Sequence, residues 1–162
     1  MEYEQLFESL WKEKVRFLIC GGLAVNIYGI PRMTADIDLL LDFEKENLAR
    51  FDQVLKKLSY LPVAPIPVSV LSDKVKRMEL VRDKHMIAYS FFNSKSNYMS
   101  VDVLLDPPAT FESMWEKRET RKIDNYEVTL VSLQHLIEMK LFANRKQDQD
   151  DVLLLSKLIE KK

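Results

Sequence analysis

Residues 17–42 read FLICGGLAVNIYGIPRMTADIDLLLD and hold all three glycines of the chain. The segment starts with a short apolar run that stops at Gly21 and Gly22, which predicts a buried strand followed by a tight turn. It ends with a second apolar run that is interrupted by two aspartates, Asp36 and Asp38. Glycines give the backbone conformational freedom, whereas carboxylates are costly among apolar residues. Their combination in one segment indicates a functional site.

The composition is that of an ordinary soluble globular protein. The chain has 162 residues, of which 47% are hydrophobic and 30% charged, and this length predicts a single domain over residues 1–162. Twenty-four basic and 25 acidic residues leave a net charge of −1, so no global field attracts nucleic acid. The stretch KVKRMELVRDK (74–84) has a mild basic excess that suits a solvated helix face or a local nucleic-acid contact. Cys20 is the only cysteine, which excludes an intramolecular disulfide and a multi-cysteine metal site.

The amino-terminal sequence MEYEQLFESLWKEK is acidic and amphipathic. It lacks the basic and apolar regions of a secretory signal. No apolar run reaches the roughly 18 residues that a membrane span needs. We therefore expect a cytoplasmic protein that does not associate with membranes.

Apolar periodicity and turn residues predict that helices and strands alternate along the chain. Strands are expected at 15–20, 35–42, 85–92, 98–105 and 126–132. Helices are expected at 3–11, 23–29, 48–58, 72–83, 111–117, 132–142 and 151–161, with Ser72 and Ser132 as the N-caps of two of them. The proline-rich segment 62–70 is expected to be an extended connection. The pattern predicts an α/β (α+β) fold, a mixed β-sheet flanked by helices, with the C-terminal helices over about 132–162 packed on it.

Three aspartates are candidates for a metal site. Asp36 and Asp38 share one face of a strand, because side chains alternate along it, and two carboxylates this close repel each other unless a cation lies between them. Mg²⁺ takes one or two carboxylates together with substrate phosphates. A polar edge strand whose aspartates face water explains the D-x-D pattern equally well. Asp102 lies between Val101 and Val103 in another predicted strand, where a lone carboxylate is costly, so we expect it to join the same site.

The two adjacent glycines are candidates for a phosphate site. A strand that ends in Gly21-Gly22 and opens a helix allows backbone N–H groups to approach a phosphate without hindrance from side chains. The partial positive charge of the helix N-terminus favours the same ligand. Asp36 follows Gly22 by fourteen residues. The glycines and the carboxylate pair therefore lie at the ends of successive elements, which predicts a single site.

The segment GGLAVNIYGIPRMTADIDLLL (21–41) resembles the signature of the nucleotidyltransferase superfamily typified by DNA polymerase β, in which Gly-Gly or Gly-Ser precedes a metal-binding D-x-D. Its G-G-x-A…G…R-x-T-x-D-I-D form is similar to small bacterial members related to the AbiEii toxins. LIEMKLFANRKQDQDDVLLL (136–155) resembles the last helices of those proteins. The resemblance implies a polymerase β-like nucleotidyltransferase fold.

The resemblance also assigns roles to residues. It implies that Gly21 and Gly22 hold a nucleoside triphosphate and that one or two Mg²⁺ ions bind the catalytic carboxylates Asp36, Asp38 and Asp102. Further contacts with the nucleotide are implied for Arg32, Lys140, Arg145 and Asp148, and Asp151 falls on the same C-terminal motif.

Alternatives remain open for the C-terminal residues. The apolar members of the predicted helix, including Leu141, place Lys140 partly away from the core, where it suits a triphosphate contact or an ordinary solvated lysine. Arg145 and Asp148 could equally form a structural corner. The chain departs from the family pattern at Gly22, where many members have serine, and at Gln147, where a lysine is usual.

The implied reaction is the transfer of a nucleoside monophosphate from a triphosphate to an acceptor hydroxyl or phosphate by two-metal catalysis. Asp102 would receive the acceptor proton. The acceptor is undetermined and RNA, protein and small molecules are candidates; an antitoxin or a second copy of the chain is a candidate partner. The alternative is a non-catalytic domain of the same fold that binds a nucleotide or a protein.

Overall fold

The structure is a computed structural model, and it describes residues 3–161. Its strands are β1 (Phe17–Cys20), β2 (Asp36–Leu41), β3 (Tyr60–Pro62), β4 (Ala88–Asn93), β5 (Ser100–Leu104), β6 (Glu119–Ile123) and β7 (Tyr126–Leu130). They form a seven-stranded sheet in the order β3-β4-β5-β2-β1-β7-β6. The sheet is mixed, because β2 pairs in parallel with β5 and β1 in parallel with β7, whereas the other neighbours are antiparallel.

The helices are α1 (Glu4–Lys12), α2 (Gly21–Ile27), α3 (Lys45–Lys57), α4 (Lys74–Lys84), α5 (Phe111–Glu116), α6 (Leu133–Ala143) and α7 (Lys146–Glu160), with a 3₁₀ turn at Val68–Ser72. Within residues 3–161, none of them is both long and apolar enough to cross a membrane. Together with the mixed sheet, these helices confirm the predicted fold class.

Helices α1 and α3 cover one face of the sheet, where most of the core lies. The ring of Phe7 on α1 stacks on Phe17 of β1 at 5.9 Å, and Phe51 on α3 meets Phe91 of β4 edge-on at 5.8 Å. Apolar residues that alternate along the strands, such as Ile37, are fully buried in this layer. The core therefore packs against the face of the sheet that α1 and α3 cover, and the candidate site lies on the opposite face.

Two strands were not predicted, and each lies at an edge of the sheet. Strand β3 has only three residues and ends at Pro62, where the predicted extended connection starts. Strand β6 (ETRKI) contains no fully buried residue. Strand β6 pairs with β7 as a hairpin across the turn Asp124-Asn125. Short edge strands with few buried side chains are poorly visible in a sequence.

Two predicted helix starts were wrong. Helix α4 is capped by Asp73, not by Ser72, since the Asp73 carboxylate accepts hydrogen bonds from the N–H groups of Val75 and Lys76 at 3.0 and 3.1 Å. Helix α7 begins at Lys146, five residues before the apolar run that predicted it. The prediction for Ser132 is confirmed, because its hydroxyl caps α6.

Candidate active site

The strand register brings the three candidate aspartates onto one face of the sheet. Strands β2 and β5 run in parallel, with Asp36 opposite Ser100 and Asp38 opposite Asp102. Residues that are directly paired across neighbouring strands place their side chains on the same face, with β-carbons about 5 Å apart. Asp38 and Asp102 are thus direct neighbours, and Asp36 lies one pair further along the same face.

Two serines, which sequence reasoning missed, support these carboxylates. The Ser100 hydroxyl donates a hydrogen bond of 2.5 Å to Oδ1 of Asp36. Ser90, opposite Asp102 on β4, hydrogen-bonds to the Asp102 side chain. Ser100 could have been found, because it precedes Asp102 by two residues in one strand and must share its face. Ser90 could not, because its register with β5 depends on a pairing that the sequence does not show.

The carboxylates occupy an environment that disfavours their ionised forms. Burial and the negative charges of Asp102 and Asp36 raise the pKa of Asp38 from 3.8 to about 6, against the opposing effect of Lys140 and Arg145. Burial also raises the pKa of Asp102, although the hydrogen bond from Ser90 opposes it. The site therefore has an excess of negative charge that a bound cation would compensate.

The turn at Gly21 lies directly against the carboxylates. Gly21 has φ +62°, the left-handed region that glycine adopts without strain, and a β-carbon there would lie 2.8 Å from Cγ of Asp38 and closer still to its Oδ2. A β-carbon at Gly22 would lie 2.8 Å from the Thr34 hydroxyl and 3.2 Å from Cζ of Arg32. Both positions accordingly disfavour side chains, and the backbone of Gly21 lies against the Asp38 side chain.

The C-terminal helices contribute a buried network of ion pairs. Lys140 on α6 is only 5% exposed, and its Nζ lies 3.2 Å from Asp148 and 2.9 Å from Asp151 on α7. The same Asp151 carboxylate also pairs with Arg32. Asp151 therefore connects α7 to the segment that precedes the D-x-D strand.

Arg145 completes the network from the loop between α6 and α7. Its guanidinium and backbone N–H both bond to Asp148, at 2.8 and 3.1 Å, so these two residues do form a structural corner. Burial alone would raise the pKa of Asp148, but the hydrogen bonds from Arg145 and Lys140 outweigh it and hold that pKa below 3.8. Because Arg145 and Lys140 also lower the pKa of Asp38, the same two cations influence both groups of carboxylates.

The structure corrects one prediction about Lys140. Reading it as a solvated lysine was wrong, as was placing Leu141 in the core, because Lys140 is buried and Leu141 is exposed. The physical reason is the pair of carboxylates from α7, which makes a buried ammonium group tolerable. The apolar periodicity of α6 cannot reveal that Lys140 is buried and Leu141 is exposed. The hydroxyl of Thr34 donates a hydrogen bond to the backbone carbonyl of Asp36.

The sequence and the fold were compared with known proteins. The family model described as "Nucleotidyl transferase AbiEii toxin, Type IV TA system" matches residues 5–152. The chain belongs to this AbiEii family. A solved structure of an antigenic nucleotidyltransferase-like protein from Paracoccidioides brasiliensis has a similar fold, with a TM-score of 0.57 and 20% identity, over 94% of this chain and 72% of that one. A comparison with curated proteins finds no match.

One feature of this AbiEii-family chain, the pairing of Asp38 with Asp102, suits a magnesium ion. Within residues 3–161, no group of three or more His, Cys, Asp or Glu side chains is arranged to hold a metal. Asp38 and Asp102 are nevertheless paired neighbours whose pKa values are raised by burial. Mg²⁺ commonly uses one or two protein carboxylates and completes its shell with water and substrate phosphates. The residues therefore fit an ion that binds together with a triphosphate.

Proposed function

We propose that this AbiEii-family chain transfers a nucleoside monophosphate from a nucleoside triphosphate to an acceptor hydroxyl or phosphate. One observation carries the proposal: the Gly21 turn lies directly against the side chain of Asp38. A phosphate held by the backbone of this turn is therefore within reach of whatever Asp38 binds. Family membership and the nucleotidyltransferase-like fold support the same reaction.

The phosphate side of the site combines backbone donors with cations. Gly21 and Gly22 present N–H groups without β-carbons, so an anion can approach closely. Arg32 packs against Gly22, and Lys140 and Arg145 are near enough to affect Asp38. These three cations would orient the triphosphate and offset the charge of the departing pyrophosphate.

The acidic side would hold one or two Mg²⁺ ions on Asp38 and Asp102, with Asp36 as the third carboxylate. When bound, magnesium activates the attacking oxygen and stabilises charge on the α-phosphate. The acceptor oxygen forms a bond to the α-phosphorus, and the bond from that phosphorus to the β-bridging oxygen breaks. Where the acceptor is a hydroxyl, its proton passes to a carboxylate. Asp102 is proposed for this role because it is paired with Asp38 across β2 and β5, next to the reacting phosphate of the proposal.

The chain is proposed to act as the toxin of a two-component system. The family description, a type IV toxin–antitoxin system, supports an antitoxin partner. The nucleoside triphosphate is part of the proposal, and RNA, protein and small molecules are the candidate acceptors. Self-association of the chain stays a prediction.

The reaction can be tested with each α-³²P-labelled triphosphate, Mg²⁺ and a pool of total RNA and protein. We expect label to be transferred by the full chain and lost in Asp38→Asn and Asp102→Asn. Asp106→Asn is the matched control, since Asp106 is exposed two residues beyond the end of β5. The control should retain activity within about twofold.

Two results would contradict this proposal. Equal transfer by the wild type and by Asp38→Asn would remove the carboxylate pair from the reaction. Absence of transfer by the wild type, together with retained triphosphate binding, would favour the non-catalytic alternative.

A further inference from the structure

The side chain of Arg32 is held in one position by its neighbours. Its Nη1 pairs with Oδ2 of Asp151, and the two side chains are only 16% and 6% exposed. Its Nε donates to the carbonyl of Met33 at 3.2 Å. Its backbone N–H donates to Oδ1 of Asn26 on α2 at 2.9 Å. Arg32 is therefore fixed both at its backbone and at its guanidinium group.

The guanidinium group of Arg32 lies against the glycine turn. A β-carbon at Gly22 would lie 3.2 Å from Cζ of Arg32. In residues 3–161, the part of the chain that the structure describes, no acceptor binds Nη2 of Arg32, and this nitrogen is not fully buried. An arginine with its other nitrogens held and one donor still accessible is preorganised to bind an anion.

Asp151 is itself held by a second cation. Its Oδ2 lies 2.9 Å from Nζ of the buried Lys140 on α6. The carboxylate on α7 is thus placed by α6, and it in turn places Arg32, which lies in the connection between α2 and β2. The pair with Arg32 is one-ended, because a bidentate pair, which is the stronger geometry, would occupy both terminal nitrogens of the arginine.

We propose that Asp151 is a positioning residue for the nucleoside triphosphate, and that it holds Arg32 so that Nη2 donates to a phosphate at the Gly21-Gly22 turn. This inference rests on the proposed function, because it takes that turn as the triphosphate site. Asp151 does not touch the nucleotide in this arrangement. It orders the arginine before the nucleotide binds, so that less conformational entropy is lost on binding.

Charge alone would make Asp151 act in the opposite direction. Asp151 is an anion close to a site for an anion, so the loss of its charge should tighten triphosphate binding if only electrostatics mattered. If Asp151 positions Arg32, its removal should weaken binding although a negative charge is lost. The sign of the change in affinity therefore distinguishes the two roles.

The test measures affinity for the magnesium complex of inorganic triphosphate, a probe that has neither base nor ribose. Calorimetric titrations of the full chain are run at one ionic strength, because salt screens charged contacts. Asp151→Ala should weaken binding by about 2- to 12-fold, the cost of ordering one mobile side chain. Asp151→Asn loses the same charge but keeps an oxygen that can accept from Nη1, and it should bind more tightly than Asp151→Ala.

Asp150→Ala is the matched control. Asp150 is the exposed neighbour of Asp151 on α7, so this variant removes the same charge from the same helix. It should bind the probe like the wild type.

A double-mutant cycle with Arg32 distinguishes positioning from a general effect on the fold. Arg32→Gln should weaken binding by about 10- to 150-fold, the loss of one charge-assisted contact, and it leaves Asp151 paired with Lys140. Added to Arg32→Gln, Asp151→Ala should not weaken binding further, although it should still lower the temperature of thermal unfolding. A merely structural Asp151 would change affinity by the same factor in both backgrounds.

Arg32→Lys tests the same point if Asp151→Ala does not fold, because it leaves α7 unchanged. It keeps the positive charge but lacks the planar group that Asp151 and Met33 hold. It should lose at least as much affinity as the 2- to 12-fold, roughly, that ordering one side chain costs. Wild-type affinity in Arg32→Lys would overturn the inference.

Three further outcomes would also overturn it. They are tighter binding by Asp151→Ala, an equal change in Asp150→Ala, and equal effects of Asp151→Ala with and without Arg32. Failure of the proposed reaction is a separate result, because it appears as absent label transfer by the wild type while the titrations still report on Asp151. Conversely, label transfer by a wild type whose triphosphate affinity does not depend on Asp151 would remove this inference and leave the proposed reaction in place.

Discussion

Asp38, in the group of aspartates on the sheet, and Asp148, in the group on α7, differ in the sign of their pKa shifts. On the sheet, the pKa of Asp38 is raised to about 6, whereas on α7 the pKa of Asp148 is held below 3.8. Asp148 is 1% exposed and Asp38 is half-buried. Burial raises the pKa of both groups, so burial does not account for the difference in sign.

The difference comes from the cations that each group contacts. Asp148 accepts hydrogen bonds from Lys140 and Arg145, which stabilise its ionised form. Asp38 feels the same two cations only at longer range, and its nearer neighbours are other carboxylates. The Asp148 group is charge-balanced by cations of the chain itself, and the Asp38 group would be balanced by a bound cation. A structural role and a binding role can thus be distinguished by charge balance.

The largest expected effect is the loss of Lys140 from the balanced group. Lys140→Met would leave Asp148 and Asp151 buried with one cation fewer, and breaking a buried pair in this way costs about 3–5 kcal/mol. Urea unfolding at pH 7 measures the change. The matched control is Lys12→Met, whose exposed partner Glu8 lies one helical turn away on α1, and it should change stability by less than about 1 kcal/mol. Similar losses in both variants would show that Lys140 is not structural.

The second prediction concerns Asp38 and has the opposite sign. A carboxyl group whose pKa is raised on folding binds more protons in the native state, so stability falls as pH rises from 3.8 to about 6. Above pH 6 the ionised group destabilises the metal-free fold by up to about 3 kcal/mol. Asp38→Asn should remove this cost and melt at a higher temperature than the wild type at pH 7.5 in chelator.

The pH dependence separates the two groups further. The advantage of Asp38→Asn should vanish near pH 4, where Asp38 is already protonated. Asp148 behaves in the reverse manner: because its pKa is lowered on folding, its contribution is present above 3.8 and is lost only as pH falls further. A variant Asp38→Asn that is less stable than the wild type at pH 7.5 would contradict an unbalanced site and indicate a structural ion pair.

The sequence predicts the unbalanced group better than the balanced one. Alternation along single strands is enough to place Asp36 with Asp38 on one face, and the enclosing apolar residues mark Asp102 as exceptional. These are local signals. Only the pairing of Asp38 with Asp102 depends on a contact between distant parts of the chain, strands β2 and β5.

The remaining features depend on contacts that no local pattern encodes. Lys140 is buried because two carboxylates of α7 pair with it. The apolar pattern of its own helix, α6, predicts instead that Lys140 is turned away from the core. Strand β3 is a three-residue edge strand that begins just before a proline-rich segment, so no alternation in the sequence marks it. The register between strands that are distant in sequence decides which serines support Asp36 and Asp102.

The third prediction tests the space beside Gly22. Gly22→Ser would introduce the residue that many superfamily members have here, yet its β-carbon would lie 2.8 Å from the Thr34 hydroxyl. Overpacking of this kind costs about 1–3 kcal/mol. Thermal unfolding should show that the loss is smaller in a Thr34→Ala background, as a double-mutant cycle between contacting residues requires. Additive effects of the two changes would show that Thr34 does not fill this space.

The smallest expected effect comes from the support of Asp36. Ser100→Ala removes a hydrogen bond to a half-buried carboxylate, and we expect a loss of about 1 kcal/mol in unfolding free energy. Ser94→Ala is the matched control, because its hydroxyl donates to the carbonyl of Ser59 at an exposed position. The two variants should differ more in Mg²⁺ affinity, measured by calorimetry with a non-hydrolysable triphosphate, since loss of an outer-shell partner typically weakens metal binding about 10- to 100-fold. Only Ser100→Ala should show that weakening. If both variants lose stability and neither loses magnesium affinity, Asp36 belongs with the balanced carboxylates. The unbalanced site is then reduced to Asp38 and Asp102.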